Sequence, residues 1–147
     1  MTANVRLLTP ADRAEWEPLW RGYQAFYETS IPAATTDVTW QRFHDPAEPM
    51  VAFGAFDKGR MVGIVHAIRH RSCWTVDDYC YLQDLFVDPA TRGTGAGRAL
   101  IEAVYGWAKG NGCGRVHWLT QESNAQARLL YDRIADRPGF IQYRNIF

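Results

Sequence analysis

The sequence carries no excess of charge of either sign. Its 16 basic and 16 acidic side chains give a formal net charge of zero. A protein that binds nucleic acid through the phosphates needs a clear positive excess, so no nucleic-acid partner is expected. The charges are unevenly spread, however: residues 1–90 hold 12 acidic and 8 basic side chains, and residues 91–147 hold 4 and 8. This split favours an anionic ligand in the second part and a cationic one in the first.

Long apolar runs and cysteine motifs are also missing. No stretch of about 18 apolar residues is present, so no membrane partner is expected. Cys73, Cys80 and Cys113 form no CxxC pair, which argues against a disulfide framework and a zinc site. The four histidines show no ligand spacing, and no metal is predicted. Without a recognisable leader, these features predict a cytoplasmic protein.

The remaining composition is that of a globular protein, and its 147 residues predict a single domain over 1–147. The turn at 57–60 predicts an antiparallel hairpin, and a later strand–helix–strand unit predicts a parallel crossover. We therefore expect a mixed α/β fold in which helices cover both faces of a mixed sheet. Strands are predicted at 5–8, 50–56, 61–69, 79–87, 116–120 and 139–147, and helices at 10–27, 36–44, 98–109 and 124–135.

A glycine-rich loop stands between the strand at 79–87 and the helix that follows it. Gly93, Gly95 and Gly97 alternate with Thr94 and Ala96. Such a loop turns backbone N–H groups inward at a helix N-terminus and forms an anion-binding nest. No Lys-Ser/Thr pair follows, which excludes a P-loop, and the spacing and late position of the glycines exclude a dinucleotide fingerprint. A phosphate or pyrophosphate is the expected ligand, and the alternative is a plain flexible loop.

Two sequence blocks resemble the GNAT superfamily of acetyl-CoA-dependent N-acyltransferases. The first is the run 81–89 followed by Arg92, Gly95 and Gly97, and the second holds Asn124 and Tyr131 seven residues apart. Within the superfamily, the chain is similar to the branch of diamine acetyltransferases and the yeast histone-and-polyamine enzymes. The resemblance implies a GNAT-type mixed, largely antiparallel sheet with one parallel βαβ unit, and acetyl-CoA as co-substrate without a metal.

The resemblance also implies where acetyl-CoA binds. The backbone of the strand would pair with the pantetheine arm, and the loop would hold the pyrophosphate. Asn124 would bind the pantetheine or cap the last helix beside Ser123. Tyr131 would protonate the leaving thiolate, since a phenol has a suitable pKa for that role. The implied cofactor-binding residues are Leu85, Phe86, Val87, Arg92, Gly93, Thr94, Gly95, Ala96, Gly97, Arg98, Asn124, Ala127 and Tyr131.

By the resemblance, the catalytic carboxylate would stand on the same strand at the position of Gln83, next to Asp84, and both are candidate catalytic residues. The diamine branch carries Glu-Asp where this chain has Gln83-Asp84, and an amide cannot accept a proton. In a regular strand Asp84 points to the opposite face, unless a β-bulge alters the alternation. A water chain, or the neutral fraction of the amine in solution, are the alternatives. Tyr27, Glu28, Gln83 and Asp84 are the candidate substrate-binding residues.

The expected activity is acetyl transfer from acetyl-CoA to a primary amine of a small molecule, either a polyamine or an amino-acid-like compound, by direct attack in a ternary complex. A protein-lysine acetyltransferase and a non-catalytic acyl-CoA-binding module are the alternatives, and Gln83 keeps the latter open. A final apolar strand at 139–147 would leave an exposed edge, so we expect a homodimer.

Overall fold

The computed structural model describes residues 3–91 and 93–147. Within these residues, five strands form one sheet in the order β1-β2-β3-β4-β5. The strands are β1 (Asn4–Leu7), β2 (Met50–Asp57), β3 (Arg60–His70), β4 (Asp78–Val87) and β5 (Cys113–His117). The helices are α1 (Arg13–Phe26), α2 (Ala33–Phe43), α3 (Ala96–Gly110) and α4 (Ala125–Ile134). No helix in the described ranges is long and apolar enough to cross a bilayer.

The sheet is mixed and largely antiparallel, as predicted. Strands β1 to β4 pair antiparallel, and β4 and β5 pair in parallel. Lys58 and Gly59 connect β2 to β3 with φ angles of 52° and 78°. Positive φ at both positions is typical of the tight turns that suit the twist of a hairpin. Helix α3 makes the crossover between β4 and β5, because parallel strands cannot be joined by a short turn.

Helices cover both faces of the sheet, which confirms the expected architecture. On one face α1 and α2 bury a cluster of aromatic side chains, and on the other α3 buries an aliphatic stripe. The first cluster contains Leu8, Trp16, Leu19, Trp20, Trp40, Phe43, Ala52, Met61 and Ile64. The second contains Phe53, Ala55, Val62, Val65, Ala67, Cys80, Leu82, Ala96, Leu100, Ile101, Val104 and Ala108.

Strand β4 is irregular on both of its sides. Towards β3, Leu82 lies opposite Ala67 and Asp84 opposite His66, so Gln83 is the extra residue of a β-bulge. Towards β5, the parallel pairing involves only residues 78–81 of β4. The bulge places Leu82 against the α3 layer and turns Asp84 towards α1, while the second half of β4 diverges from β5.

Three predicted elements differ from the structure. Helix α2 begins at Ala33 instead of Thr36, because Pro32 takes the N-cap position and Thr36 is buried within the helix. Strand β5 covers 113–117 instead of 116–120. The predicted final strand is wrong for this chain alone: residues 136–147 form no helix or strand and are exposed throughout. A strand needs a neighbour to satisfy its backbone groups, and the tail has none within the described residues.

Candidate active site

A narrow cavity opens where β4 and β5 separate. Its walls come from the C-terminal half of α1, the bulged part of β4, the segment after β5 and helix α4. The lining residues are Tyr23, Tyr27, Leu82, Gln83, Leu85, Trp118, Leu119, Thr120 and Tyr131. The cavity is therefore built from aromatic and apolar side chains with a few hydroxyl groups and one amide, a composition typical of small-ligand sites.

The β4 edge that faces this cavity has a free backbone. Beyond Tyr81, β4 pairs with β3 alone among the described residues. Leu85 and Val87 pack their side chains against the α3 layer, and Phe86 packs against the α1 layer. The side chains serve packing, so the N–H and C=O groups of residues 85–87 that point away from β3 can pair with an extended ligand in the manner of an added strand.

The glycine loop follows β4 and leads into α3. Gly93 and Gly95 have φ angles of 86° and 76°, and Gly95 is the N-cap of α3. A Cβ atom at either position would meet no atom within 4 Å among the described residues. Glycine is therefore required here for the backbone conformation and not for packing. The first N–H groups of α3 have no partner within the helix, so the loop presents donors to open space.

Thr94 supplies a further donor within this loop. Its Oγ1 atom is buried and has no hydrogen-bond partner in residues 3–91 and 93–147. A buried polar group without a partner is unfavourable, and such groups indicate a missing ligand or water. The loop N–H groups and this hydroxyl together suit the pyrophosphate of a coenzyme A thioester. Arg98, by contrast, donates to Glu102 at 2.9 Å, so its side chain is turned along α3.

Tyr131 forms the α4 wall of the cavity. It packs edge-on against Trp118, with ring centroids 5.4 Å apart. Burial, with a smaller contribution from Tyr27, raises the pKa of Tyr131, so the phenol is protonated at neutral pH. Asn124 is the N-cap residue of α4, but its side chain does not cap the helix. Its Nδ2 instead approaches Oγ1 of Thr120, another cavity residue, at 3.5 Å.

The opposite wall combines tyrosines with the carboxylate of Asp84. Burial raises the pKa of Tyr23, and the charge of the nearby Asp84 raises it further. Burial and then the Asp84 charge also raise the pKa values of Tyr27 and Tyr81. Asp84 thus lies close to three phenols, two of which line the cavity. A carboxylate beside aromatic rings is a suitable environment for an organic cation.

The structure brings some of the predicted site residues together and leaves others outside. Tyr27, Gln83, Leu85 and Tyr131 all line the cavity. Glu28 does not line it: the residue is exposed, and it follows α1 with a φ of 54°. Three further positions were predicted near the cofactor. Ala127 is half-buried on the first turn of α4, Ala96 is buried at the start of α3, and Arg92 lies outside the described residues.

Sequence reasoning missed several residues of the cavity. Tyr23 stands one helical turn before Tyr27, so the spacing could have identified it. The segment 118–120 was assigned to a strand, and its role follows only from the separation of β4 and β5. His66, buried at 2% exposure on β3, bonds to Asp84. A polar residue within the apolar run 61–68 was the available signal, but its partner depends on strand register.

Comparison with known proteins agrees with this geometry. Residues 16–135 match the Acetyltransferase (GNAT) family. The D-amino-acid N-acetyltransferase HPA3 of Saccharomyces cerevisiae is 35% identical over 142 residues, covering 95% of this chain and 88% of that protein. An aminoglycoside N(6')-acetyltransferase type 1 of Stenotrophomonas maltophilia is 29% identical over 138 residues, covering 87% of this chain and 82% of that protein.

A solved structure shares the fold over the full chain. AAC(6')-Iy, in complex with a bisubstrate analog, has a TM-score of 0.87 at 17% identity and covers 100% of this chain and 99% of its own. At that identity the likeness concerns the fold alone. The family match and the yeast relative carry the assignment further: the chain belongs to the GNAT family and is an N-acetyltransferase.

Proposed function

We propose that this protein transfers an acetyl group from acetyl-CoA to a primary amine of a small molecule, either a polyamine or an amino-acid-like compound, in a ternary complex. The observation that carries the proposal is the cavity between β4 and β5, which has Tyr131 on one wall and Tyr23, Tyr27 and the nearby Asp84 on the other. One wall can serve the leaving thiolate, and the other can serve the cationic amine.

Free backbone N–H groups would provide most of the contacts that hold acetyl-CoA. N–H groups between Gly93 and Arg98, with the Thr94 hydroxyl, would hold the pyrophosphate. The edge of β4 at residues 85–87 would pair with the pantetheine arm, and an N–H there would polarise the thioester carbonyl. Asn124 and Ala127, which lies in the first turn of α4, would contact the pantetheine arm from the opposite side. When bound, acetyl-CoA supplies the acetyl thioester.

In the proposed reaction, one proton is transferred at each wall of the cavity. The amine nitrogen would form a bond to the thioester carbonyl carbon as the carbon–sulfur bond breaks. Tyr131 would donate its phenolic proton to the departing thiolate. Asp84, acting through the Tyr23 phenol in the cavity wall, would attract the ammonium form of the substrate and accept the proton that the amine loses. The Gln83 amide would hold the amine by a hydrogen bond.

The names of the relatives support a small-molecule substrate. One relative is named for D-amino acids and the other for aminoglycosides, and both of these are small amines. A screen of acetyl-CoA consumption over polyamines, L- and D-amino acids, aminoglycosides and lysine peptides tests the proposal. Turnover of a polyamine or an amino acid is expected. Turnover of peptides alone would indicate a protein-lysine enzyme, and binding of coenzyme A without turnover of any amine would indicate a non-catalytic module.

The assignment of Tyr131 as the acid has a matched test. Tyr131→Phe is expected to lower kcat by about 100-fold or more at saturating acetyl-CoA, because general acid catalysis contributes on that order. Tyr105→Phe is the control, since Tyr105 donates to the Ile134 carbonyl at 3.0 Å and does not line the cavity. The control should keep its kcat. An unchanged kcat in Tyr131→Phe would show that another group protonates the thiolate.

We also propose that two copies associate through the C-terminal tail. Phe140, Ile141, Tyr143, Ile146 and Phe147 are 76–111% exposed. The outer edge of β5 has no strand partner among the described residues. The tail of one copy would add to the β5 edge of a second copy and bury these side chains. Light scattering at micromolar concentration is expected to give the mass of two chains, and the mass of one chain would contradict the proposal.

We propose a cytoplasmic location on the basis of the thiols. Cys73, Cys80 and Cys113 are all free, and Cys73 is exposed to solvent. An exposed free thiol is typical of reducing compartments, in which disulfides do not accumulate. Fractionation of the native host cells, with recovery of the activity in the cytosolic fraction, would support this location, and recovery from a secreted or membrane fraction would contradict it.

A further inference from the structure

His66 is a polar residue at the centre of an apolar strand. It is 2% exposed and lies in β3 between residues that are themselves fully buried. Aromatic rings surround it: the centroids of Trp16, Trp20 and Phe43 lie 5.9, 4.9 and 4.7 Å from the imidazole. A polar ring in such an environment is unfavourable unless its nitrogens are paired. Both nitrogens of His66 are paired, and their partners differ in kind.

The two partners determine which nitrogen carries the proton. Trp16 Nε1 donates to His66 Nε2 at 3.0 Å. An indole nitrogen can only donate, so His66 Nε2 must accept and cannot carry a hydrogen. The ring proton is therefore on Nδ1, which lies 2.9 Å from Oδ2 of Asp84 and donates to it. The geometry thus defines a neutral imidazole in the Nδ1–H tautomer, with its donor directed at the carboxylate.

The chain of contacts ends at the amine side of the cavity. Asp84 is less deeply buried, with a side chain that is 13% exposed against 3% for His66. The bulge at Gln83 turns Asp84 towards α1, and its two neighbours along β4, Gln83 and Leu85, both line the cavity. Trp16 and the cavity residue Tyr23 both lie on α1, so the same helix holds His66 in place and forms the cavity wall on the Asp84 side.

We infer that His66, held in one tautomer by Trp16, is a positioning residue that orients the Asp84 carboxylate towards the acceptor amine. The inference rests on the proposed function, in which Asp84 attracts the amine and accepts its proton. His66 itself touches neither substrate. Its contribution is a hydrogen bond to Oδ2 that fixes the rotamer of Asp84, so that the remaining lone pairs of the carboxylate serve Tyr23 and the substrate.

Two substitutions at position 66 separate positioning from packing. In His66→Asn the amide nitrogen lies near the place of Nδ1 and can still donate to Asp84, whereas Trp16 loses its acceptor. In His66→Gln the amide oxygen lies near the place of Nε2 and can still accept from Trp16, whereas Asp84 loses its donor. Each variant breaks one of the two hydrogen bonds of His66. If His66 served only the packing of the core, both variants would lose activity to a similar extent.

The expected result is an asymmetry in kinetics. His66→Gln should lower kcat/KM for the amine about tenfold or more, because small displacements of a reacting group are costly. His66→Asn should stay within about threefold of the parent value, and KM for acetyl-CoA should be unchanged in both. Equal losses in the two variants, or a larger loss in His66→Asn, would overturn the inference.

The imidazole nitrogens of His66 provide a readout that does not depend on activity. In 15N-labelled protein, Nδ1 should have the chemical shift of a protonated nitrogen and Nε2 that of an unprotonated one. An Nε2–H tautomer at neutral pH would overturn the inference. Trp16→Phe removes the donor to Nε2 and should cause a partial loss of kcat/KM for the amine. The tautomer of His66 and the kinetics of Trp16→Phe test the positioning role even if the position-66 variants do not fold.

Asp84→Asn separates this inference from the proposed function. If Asp84→Asn lowers kcat/KM for the amine and His66→Gln does not, Asp84 keeps its role and the inference fails. If Asp84→Asn leaves kcat/KM unchanged, the proposed role of Asp84 is wrong, and the positioning role assigned to His66 is wrong with it. A loss in both variants, with His66→Asn preserved, supports both statements.

Discussion

At the scale of single residues, the loop before α3 shows how the backbone can require a residue type without any contact. Gly93 and Gly95 both adopt left-handed φ values, and the space beside them is open. Packing does not exclude a side chain at either position. The conformation does, because an L-residue in the left-handed region is strained. The alternating glycines therefore shape a nest of N–H donors and at the same time leave room for a ligand.

Gly95→Ala tests this conformational role. We expect the free energy of unfolding to fall by about 1–2 kcal/mol, since alanine would have to adopt the left-handed N-cap conformation. The affinity for acetyl-CoA should fall as well. Gly106→Ala is the matched control: Gly106 lies inside α3, a Cβ there meets nothing within 4 Å, and its φ is not left-handed. The free energy of unfolding of this variant, measured by urea denaturation, should rise by up to about 1 kcal/mol.

Thr94→Val tests the unpartnered hydroxyl. Removing a buried hydroxyl that has no partner should leave the stability of the free protein unchanged or slightly higher. The dissociation constant for acetyl-CoA should rise about fivefold, the equivalent of one lost hydrogen bond. Thr94→Ser keeps the hydroxyl and should keep the affinity in calorimetric titration. An unchanged affinity in Thr94→Val would mean that this oxygen does not meet the ligand.

At the scale of elements, the two irregularities of β4 create the site. Regular pairing would seal the β4–β5 edge and would place Asp84 on the face opposite to Tyr81. Instead, the bulge at Gln83 turns Asp84 to the α1 side, and the end of the parallel pairing at Tyr81 opens the cavity. The sheet is therefore intact where it supports the core and open where the ligands are expected to meet.

A second element-scale feature is the ion pair that joins β1 to the start of α1. The Arg6 guanidinium donates to both carboxylate oxygens of Asp12, at 2.8 and 3.0 Å, and the Thr9 N–H donates at 2.7 Å. The Arg6 hydrogen bond, together with those from Thr9, holds the pKa of Asp12 well below its usual range. This stabilisation is present above the unfolded-state pKa of about 4 and is lost as the pH falls below it.

Asp12→Asn should therefore destabilise the fold in a pH-dependent way. We expect a loss of about 2 kcal/mol at pH 7, the scale of a hydrogen-bonded charged pair, and a shrinking difference from the parent below about pH 4. Asp37→Asn is the control, because Asp37 pairs with Arg13 at a side chain that is 52% exposed. Exposed pairs contribute less than about 1 kcal/mol. A difference for Asp12→Asn that persists undiminished at pH 2 would contradict the ion-pair interpretation.

At the scale of the whole molecule, the uneven charge of the sequence is only partly preserved in space. Asp78 pairs with Arg69 and Arg71, and Asp12 pairs with Arg6, so these two carboxylates are compensated by arginines of the same part of the chain. Asp84 is the acidic group that meets the cavity wall. The prediction of a cationic substrate therefore rests on the Asp84 carboxylate, and not on the acidic excess of residues 1–90.

The exposed tail is the other whole-molecule feature, and its removal tests the proposed association. Deletion of residues 139–147 should convert the protein from two chains to one in light scattering, because it removes the apolar side chains that would cover the second copy. Ile141→Asp with Tyr143→Asp is a milder version and should act in the same direction. A shortened chain that still has the mass of two chains would locate the interface elsewhere.

Motif residues were predictable from the sequence because their roles are local. The glycine loop, Tyr131 and Gln83 follow from short patterns, and the structure places the two side chains in one cavity with the predicted Tyr27. Their proposed roles in catalysis and binding stay predictions. Glu28 was predicted by proximity to Tyr27 along the chain, and its left-handed turn leaves it exposed. Asn124 takes the N-cap position of the last helix, as one of its two predicted roles required, but its side chain makes no capping hydrogen bond.

The sequence alone predicted the order of strands and helices up to the last helix, the mixed sheet and the glycine loop, because periodicity and turn chemistry act over a few neighbouring residues. Tertiary contacts define the bulge opposite His66, the separation of β4 from β5 and the bond between His66 and Asp84. Each of these depends on the register between strands that are distant along the chain, which short-range patterns do not encode. The unpaired tail has the same cause: an alternating apolar segment can form a strand, but only a neighbouring edge makes it one.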